Sequence, residues 1–156
     1  MKTMTKSKWI LAGAFLASLF IVLQSCTKNK ENDIKISDNG GHSHHAGENC
    51  MNCHKQGGPG DGWFTVAGTA YDSISGNTVS GTTVYLYTAR NGRGILKHTL
   101  NGDGSGNFYT TENVDFSSGL YPVVKGPNGI RYMTTSITMG QCNNCHGISS
   151  PKIVAP

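Results

Sequence analysis

Phe64-Thr65-Val66-Ala67-Gly68-Thr69-Ala70-Tyr71 alternates apolar side chains with small or polar ones. A period of two puts successive side chains on opposite faces of an extended strand. Five further runs have the same character: Thr83 to Thr88, Gly94 to Leu100, Asn107 to Thr110, Leu120 to Lys125 and Ile130 to Ile137. Each is short, rich in β-branched or aromatic residues, and bounded by Gly, Asn, Asp or Ser. That spacing predicts an all-β sandwich of about six to seven strands over residues 63–138. A seventh strand would fall around Asn77 to Ser80. Pro122 has no N–H to give a ladder, so its run should be an edge strand or should start there. No long stretch of helical period occurs after the first 25 residues.

Three segments of this stretch resemble the carboxypeptidase regulatory-like or transthyretin-like sandwich modules of exported proteins. They are Val66-Ala67-Gly68-Thr69-Ala70-Tyr71-Asp72, Gly76 to Leu86, and Asp103-Gly104-Ser105-Gly106-Asn107-Phe108. The resemblance implies an Ig-like, transthyretin-like scaffold that packages or positions and carries no active site of its own.

On either side of the strands stands the same pentapeptide pattern: Cys50-Met51-Asn52-Cys53-His54 before, and Cys142-Asn143-Asn144-Cys145-His146 after. Cys-x-x-Cys-His is the attachment pattern of a c-type haem. Its thiols form thioethers to the haem vinyl groups, and the histidine is held to the iron as proximal ligand. Chance supplies one such match in roughly a hundred chains or fewer, so two in 156 residues argue against accident. Two other uses of the four thiols stay open. They could pair as disulfides in an oxidising compartment, or gather as a four-thiolate metal site. Neither accounts for a histidine directly after both pairs.

The start of the chain fits the compartment such chemistry needs. Lys2, Lys6 and Lys8 precede an almost wholly apolar run from Trp9 to Leu23. A charged start, a short apolar core and a small residue before the cut describe an export signal rather than a spanning helix. Leu23-Gln24-Ser25-Cys26 resembles the lipobox of bacterial lipoproteins. That resemblance implies removal of residues 1–25 and a lipid on Cys26. The expected location is therefore the bacterial cell envelope, lipid-anchored, on the periplasmic side or the cell surface. Losing the three leader lysines takes the formal charge from +4 to +1. With no basic stripe, no nucleic-acid partner is expected. Residues 26–41 are polar, charged and free of aromatics, the composition of a flexible tether. Residues 42–62 form a first haem-binding segment, rich in Gly and His and expected to be ordered mainly by its haem. Residues 139–156 form the second haem-binding segment and tail.

A six-coordinate haem needs a distal ligand, normally His or Met. His42, His44 and His45 lie just ahead of the first motif and reach it at little loop cost. Alternatively they form a solvated His-rich tract. His98 falls in a strand, and Met133 and Met139 read as core or rim packing. Asn101 to Glu112 follows calcium-loop spacing, but its flanks are strands and its first position is Asn, so a Gly-rich turn is expected. If the strands alternate in direction, six of them return the chain to its starting end and bring the two motifs to one pole; a seventh would separate them. No spacing pairs a nucleophile with a base. The expected function is electron transfer by two covalently attached haem c groups between redox protein partners of the envelope. A metal- or disulfide-held binding lipoprotein, and a haem enzyme or gas sensor with an open distal position, are the other readings.

Overall fold

The computed structural model describes residues 43–156. The expected leader 1–25, the lipidated Cys26, the tether 26–41 and His42 lie outside the described residues. The fold is all-β. Its strands are β1 (Val66–Asp72), β2 (Thr83–Ala89), β3 (Arg93–Asn101), β4 (Asn107–Thr110), β5 (Tyr121–Lys125), β6 (Ile130–Tyr132), β7 (Gly140–Gln141) and β8 (Ile153–Ala155). They form two four-stranded sheets. The first has β4, β1 and β7 in that order, with β8 also paired to β1; the second runs β3-β2-β5-β6. Among the described residues no helix is long and apolar enough to cross a membrane.

The core lies between the sheets. Val66, Ala70 and Phe108 from the first face Val84, Leu86, Leu100 and Val124 from the second. Phe108 and Leu86 are each 1% exposed. A buried side chain of that size contributes roughly 1.5–3 kcal/mol by leaving water. The expected alternation holds in β2, where Val84 and Leu86 are buried and Tyr85 and Tyr87 point outward, half-buried.

The strand count differs from the expected six or seven. The run at Asn77 to Ser80 makes only an isolated bridge, Tyr71 to Thr78. The last expected run is cut short: β6 stops at Tyr132, and Ile137 bridges back to Leu120. Pro122 is the second residue of β5, which is an interior strand. The strand-start expectation therefore holds and the edge one does not. The carbonyl of Pro122 accepts from Met133 N–H at 3.0 Å, where β6 has already ended.

The first sheet also runs past the expected boundary at residue 138. β7 and β8 both pair in parallel with β1 on the edge away from β4. Val66 and Ala67 face Gly140 and Gln141, while Ala70, Tyr71 and Asp72 face Ile153, Val154 and Ala155. The two strands thus follow one track along β1. Between them residues 142–152 loop out, opposite only Gly68 and Thr69. The second Cys-x-x-Cys-His motif is that excursion.

Residues 43–64 cover the outer face of the first sheet. Gly47 N–H donates to Thr69 Oγ1 at 2.9 Å, and Asn107 Nδ2 donates to Ser43 Oγ at 2.9 Å. Phe64 stacks on Tyr109 at 4.5 Å between ring centroids. This layer explains why Val66 through Ala70 are all buried although only alternate residues face the core. The first motif segment, expected to be ordered mainly by its haem, thus also has protein contacts of its own.

Candidate haem centre

The two motifs adopt one local structure. Cys50–Asn52 and Cys142–Asn144 are single 3-10 turns. In each, the N–H of the second cysteine donates to the carbonyl of the first at 3.2 Å, and the histidine N–H donates to the same carbonyl at 2.9 Å. This turn closes each motif into a short loop with the same backbone hydrogen bonds.

The imidazoles are fixed in the same way. His54 Nδ1–H donates to the Asp61 carbonyl at 2.7 Å, and His146 Nδ1–H to the Pro151 carbonyl at 2.6 Å. A carbonyl oxygen only accepts, so Nδ1 carries the hydrogen and Nε2 keeps its lone pair. An outer hydrogen bond of this kind orients a metal-ligating histidine and raises its basicity. The Gly-rich stretch after the first motif serves this grip. A Cβ on Gly60 would stand 2.7 Å from His54 Nδ1, so only glycine lets the loop wrap the ring. Phe64 stacks on the other side at 4.1 Å and 9°.

The motifs lie side by side. Asn49 Nδ2 donates to Gln141 Oε1 at 3.0 Å, and Asn143 Nδ2 donates to the Glu48 carbonyl at 2.8 Å. Asn143 is 3% exposed and also binds Thr69 twice, accepting from its N–H at 3.0 Å and donating to its Oγ1 at 2.9 Å. The proximity comes from the parallel register of β7 with β1, not from an even number of alternating strands. Gly68 makes the approach possible: a Cβ there would meet the Phe108 ring at 2.5 Å and Cys142 Cβ at 2.9 Å.

The thiols differ in surroundings. Burial pushes the Cys142 thiol up to about 12, with the neighbouring Cys50 adding to the effect. Burial also raises Cys50, while Cys53 and Cys145 are exposed. A thiol held protonated is a poor metal ligand. None of the four is disulfide-bonded, and among the described residues no group of three or more His, Cys, Asp or Glu side chains is placed to hold a metal ion.

A cavity of about 720 Å³ opens beside the second motif. Cys142, Cys145 and His146 line it together with the core residues Val66, Leu86 and Phe108, so it reaches between the sheets. Pockets that enclose a large ligand span roughly 300–1,000 Å³ with mainly apolar walls. Its size, its apolar floor, the paired thiols and the free Nε2 fit a covalently attached haem. Arg131 also lines it and offers positive charge to haem carboxylates.

The other candidate ligands separate clearly. His44 comes within 6.1 Å of His54, centroid to centroid. His45 turns instead to Glu48, Nδ1 to Oε1 at 3.2 Å. His98 stands 3.7 Å from Glu112 and does not line the cavity. Met133 and Met139 do line it. Within the Asn101–Glu112 stretch, residues 102–106 form a turn between β3 and β4: Asp103 Oδ1 accepts from the N–H groups of Ser105 and Asn107 at 2.9 and 3.0 Å, and Glu112 points to His98. Sequence reasoning missed Asn143 and Gly68, which carry no signal outside their tertiary setting. Comparison with protein-family models, curated proteins and solved structures gives no match for this chain.

Proposed function

We propose that the chain is an exported, lipid-anchored c-type cytochrome carrying two covalent haems, which passes electrons between redox partners of the cell envelope. The observation that carries this reading is the duplicated site geometry. Two distant pentapeptides fold into the same turn and hold each imidazole by Nδ1 to a backbone carbonyl. Disulfides would give no reason for that arrangement, and among the described residues the thiols and imidazoles are not gathered into a shared metal site.

When bound, each haem supplies reversible one-electron chemistry at iron. The chain's own residues do the rest. Cys50 and Cys53, and Cys142 and Cys145, provide the covalent anchors. His54 and His146 present Nε2 in a fixed orientation. Asn143 and Asn49 hold the two sites against each other, so an electron arriving at one has a short path to the second. The sandwich is the rigid support, and Cys26 would tie it to a membrane.

The test is maturation of the chain in a host with the c-type haem machinery, followed by haem staining of a denaturing gel and a pyridine haemochrome count. Two haems per chain are expected, with one lost in Cys50→Ala and the other in Cys142→Ala. A chain without covalent haem would refute the reading.

A further inference from the structure

We infer that Met133 is the second protein ligand to the iron held by His146, which makes the two haems unlike in ligation and potential. The inference rests on the dihaem reading above and names a residue within it.

The cavity has two walls. One comes from the first sheet and its excursion, with Val66, Gln141 and His146; the other comes from the second sheet, with Leu86, Val124 and Met133. A distal ligand has to approach the iron from the face opposite the proximal histidine. It must therefore come from the second wall. Arg131 pairs with Val124, whose side chain is in the core, so position 131 faces inward. The Met133 N–H bond to the Pro122 carbonyl carries the pairing one residue past β6, opposite Pro122, which pairs with the core residue Leu86, so position 133 faces inward as well. Met133 is half-buried and its N–H is tied to the Pro122 carbonyl at 3.0 Å, which places it on the rim of the second sheet.

The competing donors are poorly placed. His146 is the only histidine among the cavity residues. Met139 directly precedes β7, on the His146 wall, and is 57% exposed. Lys152 holds its Nζ 4.1 Å over the Tyr71 ring. Cys142 and Cys145 are taken by the covalent anchors.

A thioether ligand raises a haem potential relative to a second imidazole. The apolar walls act in the same direction by disfavouring the extra charge of the oxidised iron. The second site would then be the higher-potential haem, and the first, with His44 beside His54, the lower. Electrons would rest on the second.

The experiment uses the full-length chain, matured with haem and extracted in detergent, with haems counted first. The wild type should show two haems, the weak far-red charge-transfer band of a Met-ligated ferric haem, and two separate one-electron midpoints. Met133→Leu, close in volume, should keep both haems, lose the band and shift the upper midpoint downward. Met133→His should restore a low-spin spectrum without the band. Met139→Leu should keep band and midpoints. Two haems with no band in the wild type would overturn the assignment while leaving the dihaem reading intact, and this outcome needs no variant to fold. A band that survives in Met133→Leu would overturn it equally. Absence of haem on Cys142 and Cys145 would overturn the dihaem reading and the assignment together.

Discussion

Asn143→Ala isolates the contact that joins the two motifs. The side chain makes three hydrogen bonds: from Thr69 N–H at 3.0 Å, to Thr69 Oγ1 at 2.9 Å and to the Glu48 carbonyl at 2.8 Å. A net contribution of about 0.5–1.5 kcal/mol each gives about 1.5–4.5 kcal/mol. The Thr69 N–H is the sharpest loss. Thr69 is 0% exposed, and it sits opposite the excursion, where no strand backbone can replace the amide oxygen. A buried donor left without a partner costs about 1–3 kcal/mol by itself. These contributions overlap, so the expected destabilisation is about 3 kcal/mol. Asn52→Ala is the control. Asn52 lies in the first motif, is exposed, and accepts one bond from Asn49 Nδ2 at 3.3 Å, so its removal should stay within about 0.5 kcal/mol. Urea unfolding of both variants at constant slope reads the difference. In the haem-loaded protein, weaker circular-dichroism coupling between the two haem bands should accompany Asn143→Ala alone. Equal stability of the two variants would refute the claim that Asn143 fastens the excursion to β1.

Before haem attachment, Cys145 should be alkylated rapidly and Cys142 slowly, because a thiol pushed from 9.0 to about 12 has roughly a thousandfold less thiolate at neutral pH; equal labelling rates by mass spectrometry would contradict its burial. The same raised value means that the folded, unloaded chain keeps a proton that the unfolded chain releases. Stability should thus be intact below pH 9.0 and decline as pH climbs towards about 12, as followed by urea midpoints. Phe64→Ala should cost about 3–5 kcal/mol, because Phe64 is buried in the stack between His54 and Tyr109. It should perturb the spectrum of the first haem only, and an unchanged first haem would remove the stack from the site. Gly68→Ala should destabilise by about 1–3 kcal/mol through overpacking, since its Cβ would meet Phe108 and Cys142. Haem yield at the second motif should fall selectively, and a wild-type yield and melting temperature would show that the close approach is unnecessary.

Local signals made part of the molecule readable from its sequence. Val84 and Leu86 alternate with Tyr85 and Tyr87, and that period survives in the fold because β2 is covered on one face by the core. The Cys-x-x-Cys-His pairs are legible because their chemistry is contiguous in the chain. What failed was non-local. Gly140-Gln141 is too short to carry a period, and it becomes strand only because Val66 and Ala67 offer it a free edge. Ile153 to Ala155 looks like a tail until it is laid beside Ala70 to Asp72. Burial in β1 gave no alternation to compare with its sequence, because residues 43–64 close its second face. Met133 reads as core or rim packing in sequence. Its place on the cavity beside the end of β6 has no counterpart in the local sequence.

The excursion architecture shows how the two Cys-x-x-Cys-His motifs are kept in register on one strand. A motif on a flexible tail would need its haem to define its position. Here the chain is held by β7 before the loop and by β8 after it, both on the same partner strand. The loop ends are therefore fixed whatever the loop carries. The first motif is pinned to the same strand from its outer face through Thr69 Oγ1, which accepts from Gly47 N–H and from Asn143 Nδ2. One side chain of β1 thus takes a hydrogen bond from each motif segment. Under the dihaem reading, the spacing of the two irons would be set by the β1 backbone rather than by either loop. Thr69→Val keeps the shape and removes the shared acceptor. It should loosen both motifs at once, lowering haem–haem coupling while each haem keeps its own ligands and absorption spectrum. Loss of one ligand set with coupling unchanged would mean that the loops, not the strand, hold the sites together.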